Sequence, residues 1–206
     1  MRLVLLLGVL TLVPVVGGCA SAPYSKGESA SAGLSAVANT LEQADKSLAA
    51  CTAALADLPA GQGDLKQRYD LFVAAVDRLA SDAKRVRGEA DAMKAESESY
   101  FKWWEQQIAT ISNEDLKTAS AQRRQAIRKD FAEVDASFQD LRTKFTPYMN
   151  DLRDLQTALG TSLTPAMVTS VQPTIARATK SGVEARSALN KLMAQYRALG
   201  LSMSAN

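Results

Sequence analysis

Apolar residues recur in steps of three and four along most of the chain, a spacing that keeps one face of an α-helix against a partner. Turn signals divide this pattern into four segments, which predict helices at about 31–58, 64–111, 113–159 and 165–199. The first segment carries apolar or small residues at Leu34, Val37, Leu41, Ala44, Leu48, Cys51, Leu55 and Leu58. The pattern therefore predicts an all-α protein.

Residues typical of helix ends mark the boundaries between the segments. Asp64 is placed to cap the second helix and Ser112 the third, because their side-chain oxygens can accept hydrogen bonds from exposed first-turn amides. Gly160 is a typical end for the third helix. Thr164 followed by Pro165 predicts a capped start for the fourth.

Helix lengths set the predicted shape. At about 1.5 Å per residue the helices are roughly 40, 70, 70 and 55 Å long. Short connections make neighbours antiparallel, which predicts an elongated antiparallel four-helix bundle or coiled coil with a long central hairpin. The first and fourth helices are expected to stop about 30 Å and 15 Å before the hairpin turn, which leaves a thin two-helix tip. Bends are expected at Pro147 and Pro173, since proline removes a backbone hydrogen bond.

Residues 1–18 have the pattern of a secretory signal peptide. Arg2 precedes an apolar run at 3–16 that is too short to span a membrane as a mature helix. The following sequence, Val16-Gly17-Gly18-Cys19, resembles the lipobox of bacterial lipoproteins, which implies cleavage before Cys19 and lipidation of that residue. Because Ala20 stands where inner-membrane lipoproteins carry aspartate, the resemblance implies sorting to the outer membrane, facing the periplasm.

The remainder of the chain is predicted to be one domain. Residues 19–30 form the lipidated end and a flexible tether, 31–200 a single helical domain and 201–206 a frayed tail. With Cys19 lipidated, Cys51 is the only other cysteine, so no intramolecular disulfide can form. Two roles for Cys51 stay open: a small packing residue in a helix seam, and a partner in an intermolecular disulfide.

An aromatic cluster near the predicted turn is the most unusual local feature. The run 100–104 reads Tyr-Phe-Lys-Trp-Trp and contains both tryptophans of the protein. Two interpretations stay open: the rings fill the seam between the hairpin helices, or they form a contact surface for lipid headgroups or a partner helix. The candidate contact residues are Phe101, Trp103, Trp104, Arg124 and Arg128.

Composition argues against several classes of activity. The formal net charge is only +2, which disfavours a nucleic-acid binder. The chain has no histidine, the side chain used most often as a general base and metal ligand near neutral pH. The sequence also shows no phosphate-binding loop and no Cys-x-x-Cys pair. We therefore expect no catalytic residue, no metal site and no cofactor.

One stretch resembles a known family. The run from Phe101 through Trp104, Ile108, Ile111-Ser112-Asn113 and Leu116-Lys117 to Ser120, preceded by Gly63-Asp64-Leu65 and the lipobox, resembles a family of uncharacterised bacterial envelope lipoproteins. The resemblance covers roughly residues 60–200 and implies a long helical coiled-coil protein without an assigned activity. Where such proteins often carry a His-Asn pair, this chain reads Gly-Thr-Ser-Leu at 160–163.

Together these features predict a non-enzymatic, outer-membrane-anchored lipoprotein that acts as a structural and interaction rod in the cell envelope. Its expected partners are the membrane, through the N-terminal lipid, and another envelope protein. The alternative is a helical module that binds or shapes a membrane surface, with anionic lipid as its partner. Association of identical chains through the same seams stays open.

Overall fold

A computed structural model describes residues 25–60 and 63–204. Within these residues the chain forms helices and no strand, which confirms the all-α prediction. The predicted signal peptide, the lipidation of Cys19 and the first part of the tether lie outside the described residues. The helices are α1 (Ser25–Asp57), α2 (Leu65–Ala109), α3 (Glu114–Thr161), α4 (Pro165–Ser170) and α5 (Gln172–Met203).

The four long helices pack side by side in the order α1, α2, α3, α5, and α5 closes the ring against α1. Each neighbour runs antiparallel to the next. The α1–α5 pair shows this register, since Ser31 near the start of α1 donates to the Gly200 carbonyl near the end of α5 at 2.7 Å. The end that holds the start of α1 and the α2–α3 turn is called the tip, and the opposite end the base.

Two apolar clusters make a continuous core along the bundle. The cluster nearer the tip contains Leu34, Leu41 and Leu192, and the cluster nearer the base contains Phe72 and Tyr148. These side chains come from the positions that the three-and-four spacing predicted. Burial of this stripe stabilises helices that could not persist alone in water.

Two ion pairs link α5 to both of its long neighbours. Arg186 of α5 donates two hydrogen bonds to the Asp45 carboxylate of α1, at 2.7 and 2.9 Å. Arg177 of α5 makes the same two-pronged contact with Asp151 of α3. Because paired guanidinium donors match a carboxylate in only a few orientations, these contacts set the register of α5 against both neighbours.

The capping predictions are confirmed at two of three helix starts. The Asp64 carboxylate accepts from the Lys66 amide at 2.9 Å, and the Thr164 hydroxyl accepts from the Met167 amide at 3.2 Å. The cap predicted at Ser112 is wrong, because Asn113 occupies that position. Asparagine caps a helix as well as serine does, so composition alone could not separate adjacent residues.

The ends of the first and fourth predicted helices also differ from the structure. Helix α1 begins at Ser25 instead of residue 31, so the second half of the predicted tether is helical. The predicted fourth helix is divided at Val171 into α4 and α5, and Pro173 lies in the first turn of α5. The predicted frayed tail is helical as far as Met203. Helix α3 continues through Pro147 without interruption.

These longer helices shorten the exposed hairpin. The Lys26 ammonium group lies 5.2 Å from the centre of the Trp103 ring, so α1 reaches this level of α2. Only six residues of α2 remain beyond Trp103, or about 9 Å of helix. The prediction that α1 ends about 30 Å before the turn is therefore wrong, and the two-helix tip is correspondingly short.

None of the helices in the described ranges is long and apolar enough to cross a membrane.

Candidate functional site at the aromatic tip

The candidate site lies where α1 begins, α2 ends and α3 begins. Tyr100, Trp103, Trp104 and Ile108 of α2, with Ile111 of the turn that follows, form one face of the site, which we call the aromatic tip. The steps of three and four between the α2 residues place them along one side of the last turns of that helix. Both tryptophans are half-buried, so the cluster is neither sealed in the core nor fully exposed.

The rings of the aromatic tip hold one another in fixed orientations. Tyr100 stacks on Trp103 with ring centres 5.9 Å apart, and it meets Trp104 at 5.5 Å. The Trp104 indole N–H donates to the Ser120 hydroxyl of α3 at 3.0 Å. Trp104 thus fills the seam between α2 and α3, as the first interpretation expects. Part of each indole still faces outward, so both tryptophans can also contact a partner.

The start of α1 completes the site. The positive charge of Lys26 above the Trp103 ring is an attractive cation–π geometry. Gly27 approaches the Tyr100 hydroxyl so closely that a β-carbon added there would lie 3.6 Å from it. Together with Ser120 and Gln107, Gly27 and the aromatic tip surround an open cavity of about 280 Å³.

The structure separates the five predicted contact residues. Trp103 and Trp104 lie at the aromatic tip, but Phe101 is buried in the core and meets Phe131 edge to face. Arg124 holds the hairpin together, because its guanidinium donates to the Phe101 carbonyl at 3.1 Å and to Glu105 at 2.8 Å. The exposed Arg128 guanidinium lies 5.8 Å from the Phe101 ring, on the flank of the bundle.

Sequence reasoning missed several members of the site. The three-and-four spacing of Ile108 and Ile111 indicates only a seam position, although both line the cavity at the aromatic tip. Leu116, in the first turn of α3, has 62% of its surface exposed and adds apolar area at the tip. Lys26 was assigned to the tether, and no local pattern could reveal its contact with a residue 77 positions away.

Cys51 lies far from the tip, in the core near the base. Its side chain is 0% exposed, and burial raises the pKa of its thiol to about 11. The neighbouring Tyr148 hydroxyl and Thr52 hydroxyl share a hydrogen bond at 3.2 Å. The position fits the packing role. An intermolecular disulfide at Cys51 would first require the surrounding helices to open.

Buried hydroxyl and thiol groups predict a loss of stability at high pH. Burial also raises the pKa of Tyr196 to about 12 and that of Tyr148 further. The folded chain therefore holds these protons more tightly than the unfolded chain. Their stabilising contribution is complete below about pH 9 and is lost as the pH rises through 11 to 12, at roughly 1 kcal/mol per pH unit for each group.

Urea unfolding followed by circular dichroism at pH 8 and pH 11 measures this loss. We expect a clearly lower midpoint at pH 11, and a smaller decline for Tyr196→Phe, which removes one of the ionising groups. Equal midpoints at both pH values would contradict the assignment of these groups to the sealed core.

The polar groups of the described residues offer little for metal chemistry. In residues 25–60 and 63–204, no three cysteine, aspartate or glutamate side chains lie close enough together to hold an ion. The aromatic tip itself carries indole, phenol and aliphatic groups, and the positive charges of Lys26 and Arg123 lie near it. Its chemistry is that of contact and orientation.

The fold and this site define an elongated antiparallel helical bundle with an aromatic end. The chain belongs to the family described as protein of unknown function (DUF2959), whose model matches residues 28–198. The predicted resemblance to an uncharacterised family is thereby confirmed. Searches of curated proteins and of solved structures found no match.

Proposed function

We propose that the chain is a non-enzymatic lipoprotein of the outer membrane, a rod that stands on the periplasmic face and presents its base to another envelope protein. The main support for this proposal is that the first helix, α1, begins at the tip. Only five residues lie between Cys19 and Ser25, so the distance between these two residues is about 20 Å at most. A lipid on Cys19 would therefore hold the aromatic tip close to the membrane.

The length of the bundle supports a spacer role. Helix α2 has 45 residues, so about 70 Å separate the tip from the base. The base carries an exposed apolar side chain, Leu71, with 59% of its surface accessible. An envelope protein that binds there would be held at a set distance from the membrane.

Crosslinking from the two ends tests this arrangement. A photoreactive phenylalanine analogue at Leu71 is expected to trap a discrete envelope protein in intact cells, and one at Leu116 is expected to trap lipid. Val183, equally exposed on the side of α5, is the matched control position. Trapping of the same protein from Leu116 and Val183 would contradict a base-specific contact.

A second candidate function is a module that binds the membrane surface directly. The observation that favours it is the half-exposed Trp103 and Trp104 beside Lys26 and Leu116. Tryptophan is enriched at membrane–water interfaces, where its apolar ring and polar N–H both find partners. In this alternative the protein contacts lipid with the tip even without its anchor.

Vesicle flotation separates the two functions. We expect residues 20–206, produced without lipid, to stay unbound to anionic vesicles, while the lipidated chain floats. If the unlipidated form floats, the surface-binding function holds instead. Trp103→Ala with Trp104→Ala should then lower the bound fraction about five-fold or more, since about 100 Å² of apolar contact is lost per ring. Leu71→Ala with Val183→Ala is the matched control away from the tip.

A further inference from the structure

Helices α2 and α3 separate between their two ends. Near the tip they touch through Trp104 and Ser120, and near the base the Tyr69 hydroxyl donates to the Gln156 carbonyl at 2.8 Å. Over their whole length they make the least contact of the four neighbouring helix pairs. The sides of the bundle are therefore not equivalent, and the α2–α3 side is open.

The sequence of the two helices explains the opening. Helix α3 presents Phe131, Phe138 and Phe145 at seven-residue intervals, and all three rings are half-buried. Across from them α2 presents small residues at the same interval, at Ala83, Ala90 and Ser97. Seven residues make two helical turns, so each set forms a row along its helix. The small residues leave space beside a ladder of phenyl rings.

Two neighbouring cavities lie in this space, and we call them together the α2–α3 groove. Their volumes are about 280 and 400 Å³, and both are lined by Asp91, Phe138 and Gln139. The floor under the larger cavity comes from Ala44 of α1 and Leu189 of α5. All four long helices therefore contribute to the groove: α2 and α3 form its sides, and α1 and α5 form the apolar floor of the larger cavity.

The charges at the larger cavity are mainly positive. Lys84, Arg87, Arg142 and Arg153 line it, against the single carboxylate of Asp91, which lies 4.0 Å from Arg87. Within the described parts of the chain, Lys84, Arg142 and Arg153 form no ion pair. This surplus contrasts with the near-neutral charge of the protein as a whole.

We propose that the α2–α3 groove binds a single-chain anionic lipid. Its acyl chain lies along the phenylalanine ladder, and its carboxylate or phosphate head lies between Lys84 of α2 and Arg142 and Arg153 of α3. The larger cavity combines mainly apolar walls with a few placed charges, which is the usual composition of a ligand site. This inference does not depend on the proposed rod function, since the groove lies on the side of the bundle.

The size of the groove favours a chain over a helix. The larger cavity has room for roughly a dozen methylene groups, taken at about the 30 Å³ that a water molecule occupies in the liquid. An α-helix with side chains is about 10 Å wide and would need α2 and α3 to move apart. The Lys94–Asp135 pair, at 3.4 Å, also bridges the two helices at the smaller cavity. A flexible acyl chain passes beneath such a bridge more readily than a helix does.

Photolabelling tests the proposal on the full chain as bacteria produce it, purified into phosphatidylcholine nanodiscs. The probe is a 16-carbon fatty acid that carries a diazirine. We expect labelled peptides from 83–98 and 131–153, competition by excess unlabelled fatty acid, and at least five-fold weaker labelling with the matching fatty alcohol. Equal labelling by acid and alcohol would overturn the role of the basic residues.

Variants locate the site. Ala83→Leu and Phe138→Trp fill the groove from opposite walls, and each should reduce labelling at least five-fold. Arg142→Glu with Arg153→Glu should do the same by reversing the charge. Lys180→Glu with Lys191→Glu reverses two exposed charges that line neither cavity and should have no effect. Circular dichroism confirms that each variant is folded.

Three outcomes would overturn the inference: labelling confined to the aromatic tip, labelling unchanged in both groove-filling variants, or binding of an acidic helical peptide that fatty acid does not displace. If the full chain is not labelled but the lipidated chain still floats normally, the lipid-binding proposal is wrong and the rod function is unaffected. The two proposals can therefore fail separately.

Discussion

Replacing Phe72 by alanine is expected to lower the free energy of unfolding by about 3–5 kcal/mol. The Phe72 ring is 0% exposed and belongs to the core cluster nearer the base. Its removal forfeits the transfer free energy of the ring and leaves a cavity that the surrounding side chains fill only in part. Native domains are stable by only about 5–15 kcal/mol, so this is a large fraction of the total.

The adjacent residue is the matched control. Leu71 precedes Phe72 on the same helix but points outward, with 59% of its surface exposed. Leu71→Ala should change the free energy of unfolding by no more than about 0.5 kcal/mol. Urea unfolding of both variants measures the difference. Similar losses at the two positions would show that α2 is rotated relative to the core described above.

The second large effect is expected at Gly182, where α5 passes over the Tyr148 ring of α3. A β-carbon added to Gly182 would lie 3.1 Å from the ring and 3.3 Å from the Thr52 hydroxyl of α1. Gly182→Leu is therefore expected to cost about 2 kcal/mol, even though leucine favours helix more than glycine does. It forces Tyr148 to move and disturbs the Tyr148–Thr52 hydrogen bond.

Gly88 provides the same substitution without the crowding. It lies in the middle of α2, and nothing stands within 4 Å of a β-carbon added there. Gly88→Leu should stabilise the chain by about 0.5–1 kcal/mol through helix propensity alone. Thermal unfolding of the two variants should shift in opposite directions. A stabilising effect at both positions would show that α5 does not approach Tyr148 this closely.

Periodicity predicted the long helices well because their buried faces repeat over many turns. Periodicity did not predict where the helices end, because contacts between residues distant in the sequence determine the helix ends. Ser25 to Ser29 are small or charged and show no apolar repeat, yet they extend α1 because Lys26 and Gly27 meet the aromatic tip. Such stabilisation comes from packing and leaves no signal in the local sequence.

The candidate site was predictable only in part. The tryptophan pair stood out in the sequence and lies at the tip as expected. The α2–α3 groove did not stand out, because Phe131, Phe138 and Phe145 fit a helix seam equally well. A heptad pattern identifies the face that is apolar, but the distance to the facing helix depends on the residues opposite. Here those are Ala83, Ala90 and Ser97, 34 to 62 positions earlier in the chain.

The antiparallel neighbours of α1 have a mechanical consequence. If Cys19 holds a membrane and a partner holds the base, tension between them pulls α1 lengthwise against α2 and α5. The contacts along the 33 residues of α1, including the Asp45–Arg186 contact, bear this load together, so they do not break one helical turn at a time. The rate at which the bundle yields to force would then depend on sliding of the whole helix.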